Sequence, residues 1–221
     1  MFNLRNAFLL RFAVSVIACQ PKKEVDNNAS IWITTLDKKM LLKQVEVEQI
    51  KNVKPTHTIT IDTTKTYQEM EGFGYTLTGG SAMLLHKMSD KVRASIIQEL
   101  FGNKENNIGV SYLRVSIGAS DLDENTWSYN DLASGESDES LERFSLAYDT
   151  LYLVPVLKEI LKVNPQLKIM GSPWSAPTWM KTNNDTRGGS LKEEYHQVYA
   201  NYFVKYIEAM TSHGINIDAI T

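Results

Sequence analysis

The sequence predicts an α/β fold: a parallel sheet that forms the N-terminal half of a (β/α)8 barrel, preceded by a few short strands. Three observations carry this. From about residue 70 the chain reads strand then helix three times and closes on a fourth strand, and such alternation implies parallel pairing. The strand Gly109–Ile117 is a nearly continuous apolar run, the pattern of a parallel strand covered on both faces, and Ile215–Thr221 reads as a further buried-type strand. The loops after the first three strands are long and hold the polar and aromatic residues, and barrels carry their sites at those strand ends. A four-stranded open α/β sheet is the alternative architecture.

The bulk numbers suit one large domain or part of a bigger protein. The chain has 221 residues, 43% hydrophobic and 22% charged, with a net charge of -3. Nothing in that balance suggests a nucleic-acid partner. A single cysteine, Cys19, excludes an internal disulfide or a cysteine-based zinc site, and no cofactor is called for.

Residues 1–28 are set apart from the fold. Arg5 precedes a mostly apolar run, Ala7 to Ala18, that Arg11 interrupts and Cys19 follows. The run resembles a bacterial lipoprotein signal, in which Cys19 is lipid-modified and Gln20–Glu24 becomes a tether. An ordinary signal peptide or a misplaced start is the alternative. The lipoprotein reading predicts export to the periplasm or cell surface, with a possible membrane tether through Cys19. No later run reaches the ~18 apolar residues of a membrane span.

Ile31–Thr35 is rich in β-branched residues and reads as a strand. Val45–Glu48, His57–Asp62 and Tyr67–Glu71 alternate with period two and read as further strands. At Gly72–Ser81, four Gly in nine residues permit tight turning and close approach. The spacing fits neither phosphate-binding glycine motif, so the stretch reads as a strand end turning into a helix. Ser89 can cap a helix whose apolar positions are Val92, Ile96, Ile97 and Leu100, with Gly102 as its stop.

The next strand, Gly109–Ile117, contains Arg114. A charge inside a covered strand is costly unless paired, so Arg114 asks for a carboxylate. The pair would be structural, or it would orient a catalytic acid. Residues 118–148 form a long acidic loop that lacks the calcium-loop pattern. It reads as a solvated loop over a site, with Asp121 and Tyr129 as candidate sugar contacts. Asp149 can cap the following helix, whose buried face is Leu153, Val156, Leu157, Ile160 and Leu161. Pro155 lies in its first turns, and Asn164-Pro165 ends it.

The third strand runs into Gly171-Ser172-Pro173-Trp174-Ser175-Ala176-Pro177-Thr178-Trp179-Met180-Lys181-Thr182-Asn183. Pro173 and Pro177 prevent any regular continuation. Two indoles on a rigid strand-end loop can stack on a sugar face or close a core. A last helix, from about Glu193 to His213, buries Val198, Tyr202, Phe203, Tyr206, Ile207 and Met210, and Gly214 stops it.

Read together, Gly72-Phe73-Gly74 with Thr78, Leu113-Arg114-Val115, the Ser172–Asn183 block, Tyr195-His196 and Ile217–Thr221 resemble glycoside hydrolase family 30, which includes glucosylceramidases and β-1,6-glucanases. The resemblance spans roughly residues 30–221 in order. It implies a (β/α)8 barrel over 71–221 and a side β-sandwich partly built from strands in 29–70. It implies retaining hydrolysis of a β-glucosidic bond, of the glucosylceramide type or in β-1,6-glucan, by two Glu about 5 Å apart. The acid/base Glu belongs to an Asn-Glu-Pro at the end of barrel strand four, and the nucleophile to strand seven. Neither carboxylate lies within residues 1–221, so the chain is expected to be the N-terminal part of the enzyme and inactive alone.

What carries over is support and substrate contact. Trp174 matches the Trp bordering the glycone subsite, and Arg114 an Arg near the catalytic pair. Trp179 is assigned to packing. Gly79 stands where glucosylceramidase-like members carry a sugar-binding Asp, so it offers only backbone. A hypothesis of another class is a surface glycan-binding lipoprotein without catalysis.

Overall fold

The computed structural model describes residues 30–47, 52–104 and 106–221. Residues 1–28 and Cys19, with their predicted lipoprotein signal, lie outside the described residues. The chain divides into two compact units, Met1–Thr66 and Tyr67–Thr221. The boundary falls a few residues before the one placed at 70 from sequence.

In the first unit β1 (Ile31–Ile33) and β2 (Lys43–Val45) pair antiparallel, with Trp32 opposite Gln44. The strand expected at His57–Asp62 does not form, and neither does Tyr67–Glu71 at the start of the second unit. Ile59, Ile61 and Tyr67 are exposed. Alternation specifies a strand only when a neighbouring edge supplies the ladder and a surface covers one face. Among the described residues neither is present for these segments.

The second unit holds the parallel sheet. Its strands are β3 (Gly74–Leu77), β4 (Tyr112–Ile117), β5 (Lys168–Pro173) and β6 (Ala219–Ile220), in spatial order β3-β4-β5-β6, each parallel to the next. A doubly wound open sheet reverses its strand order at a switch point. Here the order is monotonic, as successive barrel units require. Between β3 and β4 lie α1 (Gly79–Lys87) and α2 (Asp90–Phe101). Between β4 and β5 lie α3 (Ala147–Leu151) and α4 (Leu153–Val163), and α5 (His196–Ser212) precedes β6.

The helices start and stop largely where the chain chemistry dictates. Thr78 caps α1, its Oγ1 accepting from the Ser81 N–H at 3.2 Å. Ser89 and Gly102 bound α2, and Asn164 ends α4. Gly214 follows α5 at φ +79°, a conformation a side chain would resist. The predicted faces need two corrections. On α2, Val92 is exposed, and Arg93 is buried in its place. Arg93 Nε donates to Glu159 of α4 at 2.9 Å, and its Nη2 to Asp90 at 2.9 Å. Its Nη1 donates to the His86 and Met88 carbonyls at the end of α1. One guanidinium thus joins three helices, which an apolar side chain could not do. Asp149 does not cap a helix from outside. It sits within α3, 3% exposed.

The core lies between the sheet and its helices. Leu113, Val115 and Ile117 of β4 are fully buried with Leu157 and Ile160 of α4 and Tyr206 and Met210 of α5. Gly171 lets Ile117 and Tyr206 approach β5, since a Cβ there would stand 2.9 Å from Ile117 Cδ1. The 118–148 loop is not solvated as expected. Tyr129, Leu141 and Leu146 enter the core, and apolar residues spaced along an acidic stretch tether it there.

Candidate active site

The alternation of β4 sends Leu113, Val115 and Ile117 to the helices and Arg114 to the other face. Arg114 is exposed, and its Nη2 donates to Ser172 Oγ on β5 at 2.8 Å. This corrects the expectation of a strand covered on both faces with Arg114 buried against a carboxylate. Among the described residues the guanidinium makes no ion pair, and its remaining donors face the open side of the sheet.

Two residues past Ser172 the chain leaves β5 and the Trp loop begins. Pro177 precedes a 3-10 turn, Thr178–Met180. Trp179 is buried as expected. Its indole packs edge-on to Tyr195 at 4.9 Å and donates to Asn130. Lys181 is 6% exposed, and its Nζ donates to Ser175 Oγ and to the Thr186 carbonyl, both at 3.0 Å. Burial holds this ammonium below its ordinary pKa, partly offset by the charge of Asp185. The loop is therefore pinned from below, and Trp174 stands out of it, 39% exposed. Trp174 borders an open pocket of about 400 Å³ that also meets Lys181, Gly189, Leu191 and Tyr199.

The other predicted contacts scatter. Gly79 opens α1 and borders a different crevice, of about 220 Å³. A Cβ on Gly79 would collide with Asp123 Oδ1, so the carboxylate of Asp123 fills the place a side chain there would take. Asp121 is exposed and borders neither crevice. Tyr129 does not reach a sugar-accessible surface. It is 2% exposed, stacked on Tyr202 and Tyr206, and its hydroxyl donates to Asp149 Oδ2 at 2.5 Å. The phenol at the loop's centre is spent on anchoring it.

Sequence reasoning missed Asp123, Asp149, Trp127 and Tyr148, which meet around the second crevice. Three acidic side chains, Asp121, Asp123 and Glu124, precede Asp131 in that loop and nothing local ranks them. The paired Gly79-Gly80 was the available sign of a close approach. Burial pushes the Asp149 carboxyl up to about 7. The Tyr129 hydrogen bond opposes this, and the charge of Asp123 adds to it. For Asp138 burial would also raise the pKa. The N–H of Arg143, the Asn130 amide, the N–H of Glu142 and the Ser140 hydroxyl outweigh it and hold the carboxyl at about 2.

A family model described as the glycosyl hydrolase family 30 TIM-barrel domain matches residues 70–221. The chain belongs to glycosyl hydrolase family 30. It is 35% identical over 164 residues to putative glucosylceramidase 1 of Caenorhabditis elegans, covering 72% of this chain and 30% of the relative. It is 34% identical over 173 residues to the endo-1,6-beta-D-glucanase of Neurospora crassa, covering 75% and 35%. Among solved structures, the endo-beta1,6-glucanase BT3312 superposes with a TM-score of 0.73 at 35% identity, over 86% of this chain and 42% of that one. The chain thus spans well under half the length of these relatives. As a family 30 chain, it presents in β3 to β6 consecutive parallel strands of the family barrel, with Arg114 and the Trp174 loop at or near the end where barrel enzymes place their sites.

Proposed function

We propose that this protein is a retaining glycosidase that cleaves β-glucosidic bonds, with a glucosylceramide-type β-glucoside as its first substrate class. The observation that carries the reading is Trp174. A half-exposed indole stands on a loop pinned by Lys181 and Trp179, just past the serine that receives Arg114. Such a rigid aromatic face suits the C–H face of a pyranose. The register of β6 supports it further. Ile220 pairs with Gly171, and the Thr221 N–H donates to the Gly171 carbonyl at 3.1 Å. Residues after Ile220 therefore emerge beside Ser172 and Trp174. The resemblance puts the Asn-Glu-Pro acid/base at this strand end, within the field of the Arg114 guanidinium. That cation would favour the ionised form that the group needs as base in the second step, while the first step requires it protonated, and a nucleophile about 5 Å across the site would complete retaining chemistry.

A second reading, cleavage of β-1,6-glucan, is favoured by Gly79. The position has no side chain, and Asp123 occupies its space. The deciding experiment gives the full-length protein glucosylceramide and β-1,6-glucan and follows glucose or oligosaccharide release. Hydrolysis of the lipid supports the first reading, and hydrolysis of the glucan alone the second. Binding without hydrolysis of either would leave the non-catalytic glycan binder. The same proposal places the protein outside the cytoplasm, tethered through Cys19. Incorporation of labelled fatty acid that Cys19→Ala abolishes is the expected result, and no incorporation would refute the tether.

A further inference from the structure

Two buried carboxyls hold the loop between β4 and α3, and their partners differ. Asp138, 8% exposed, takes four donors: the N–H groups of Glu142 and Arg143, the Asn130 amide and the Ser140 hydroxyl. Those donors replace the water that burial removes, so this carboxylate stays charged and its turn stays closed through the neutral range. Asp149, 3% exposed on α3, takes one donor, the Tyr129 hydroxyl at 2.5 Å. Among the described residues no cation pairs with it. The groups that face it are phenols and carboxyls. From the loop come Tyr129 and Asp123, with Asp131 beside Tyr202, and from α5 come Tyr202 and Tyr206. On α1, His86 and Lys87 lie against the Tyr152 ring instead.

One neutral donor does not offset the lost hydration of a buried charge. Burial therefore favours the protonated form of Asp149 against the Tyr129 hydrogen bond, and the charge of Asp123 adds to it. Tyr129 is also where the loop is fastened. Its N–H donates to Tyr202 Oη at 3.0 Å, its carbonyl accepts from the Ser145 N–H at 2.7 Å, and its ring stacks on Tyr206 at 5.6 Å. On either side of it, Trp127 stacks on Tyr148 at 4.7 Å and Asn130 holds Trp179. A charge on Asp149 thus falls on the residue that anchors the loop.

We propose that the Tyr129–Asp149 contact is a proton-operated latch, which holds residues 119–131 against α3 and α5 while Asp149 is protonated and releases them when Asp149 ionises. Release brings the carboxylate into water, and the segment that moves takes Trp127 off Tyr148 and Asn130 off Trp179. Asp138 keeps its own turn, residues 138–143, closed in both states. Each release gives one proton to solvent, so the ratio of released to latched forms rises about tenfold per pH unit. The rise ends at about pH 7, where the latched carboxyl itself ionises.

Amide hydrogen exchange of the full-length protein between pH 5 and pH 8, corrected for intrinsic rates and followed in peptides from 119–131 and 138–143, tests the latch. Protection of 119–131 should fall about tenfold per pH unit up to about pH 7 and then level off, while that of 138–143 stays constant. Asp149→Asn should flatten the 119–131 profile. Tyr129→Phe removes a donor that favours the charged form, so its profile should level off at a higher pH; a tyrosine that only packs would not move that point. A parallel fall in both segments means that they open as one unit and overturns the latch, as does an Asp149→Asn profile with the wild-type slope. Should Asp149→Asn not fold, Tyr129→Phe decides alone, and an unmoved levelling-off overturns the proposal.

Discussion

The indole N–H of Trp179 donates to Asn130 twice over, to the backbone carbonyl and to the side-chain Oδ1, each at 3.0 Å. Asn130 in turn donates its amide to Asp138 at 2.8 Å. A three-residue chain of hydrogen bonds therefore ties the loop after β4 to the loop after β5, below the exposed Trp174.

Asn130 is 1% exposed, so Asn130→Ala removes a buried amide: Asp138 loses its donor, while Trp179 keeps only the backbone carbonyl. The expected loss is about 2 kcal/mol of stability, read as a lower urea midpoint. Asn130→Asp should cost more near neutral pH, where two carboxylates face each other, and less near pH 4. An Asp variant insensitive to pH would count against this network.

Asp149 predicts a pH dependence of stability. Burial raises its carboxyl to about 7 in the folded protein, against an ordinary value of 3.8. The native state therefore holds a proton that the unfolded state has lost. Stability from this group is fully present below pH 4 and declines as pH rises through 7, by at most on the order of 4 kcal/mol. Asp149→Asn has no proton to lose. Its melting temperature relative to wild type should rise between pH 5 and pH 8, and parallel curves would refute the assignment.

Gly79 and Asp123 predict a coupled pair. Gly79→Ala should destabilise the protein because its new methyl meets Asp123 Oδ1. Asp123→Ala in the same chain should recover most of that loss. A double-mutant cycle by chemical denaturation measures the coupling, expected at about 1 kcal/mol or more. Strict additivity would mean that the loop after β4 moves aside freely.

Trp174 separates binding from folding. Its partial exposure predicts that Trp174→Ala changes stability by less than about 1 kcal/mol. Activity of the full-length protein on an aryl β-glucoside should fall by about tenfold or more in kcat/KM, the scale of losing one stacking contact. Lys181→Met, which unpins the same loop, should lower both stability and activity. A Trp174→Ala enzyme with unchanged kcat/KM would remove the indole from the site.

The order of elements in the second unit was legible because each rests on local chemistry. Ser89, Gly102, Asn164 and Gly214 mark helix ends through capping and φ preference, and the apolar periods of α4 and α5 need no partner to be read. The strands expected at His57–Asp62 and Tyr67–Glu71 were misread because alternation at Ile59, Ile61 and Tyr67 states a preference that only a neighbouring strand can satisfy. Arg114 was singled out correctly as a charge in an apolar strand, but its partner was not. Which of Ser172 or a carboxylate it meets depends on the register of β5 against β4. Tyr129 looked like a loop aromatic free to touch a sugar, and nothing near it in sequence announces Tyr202, Tyr206 or Asp149.

The sequence by itself determined the alternation of strands and helices, their parallel pairing, the rigid Trp loop and the family. These follow from periodicity, caps, prolines and a contiguous motif, all short-range properties. Only the tertiary structure decided that Arg93 joins three helices and that Trp179 packs under Asn130. It alone put Asp123 in the space above Gly79 and buried Asp149 beside the Trp127–Tyr148 stack. Those facts join residues tens of positions apart, whose burial and partners exist only once the sheet has set its register.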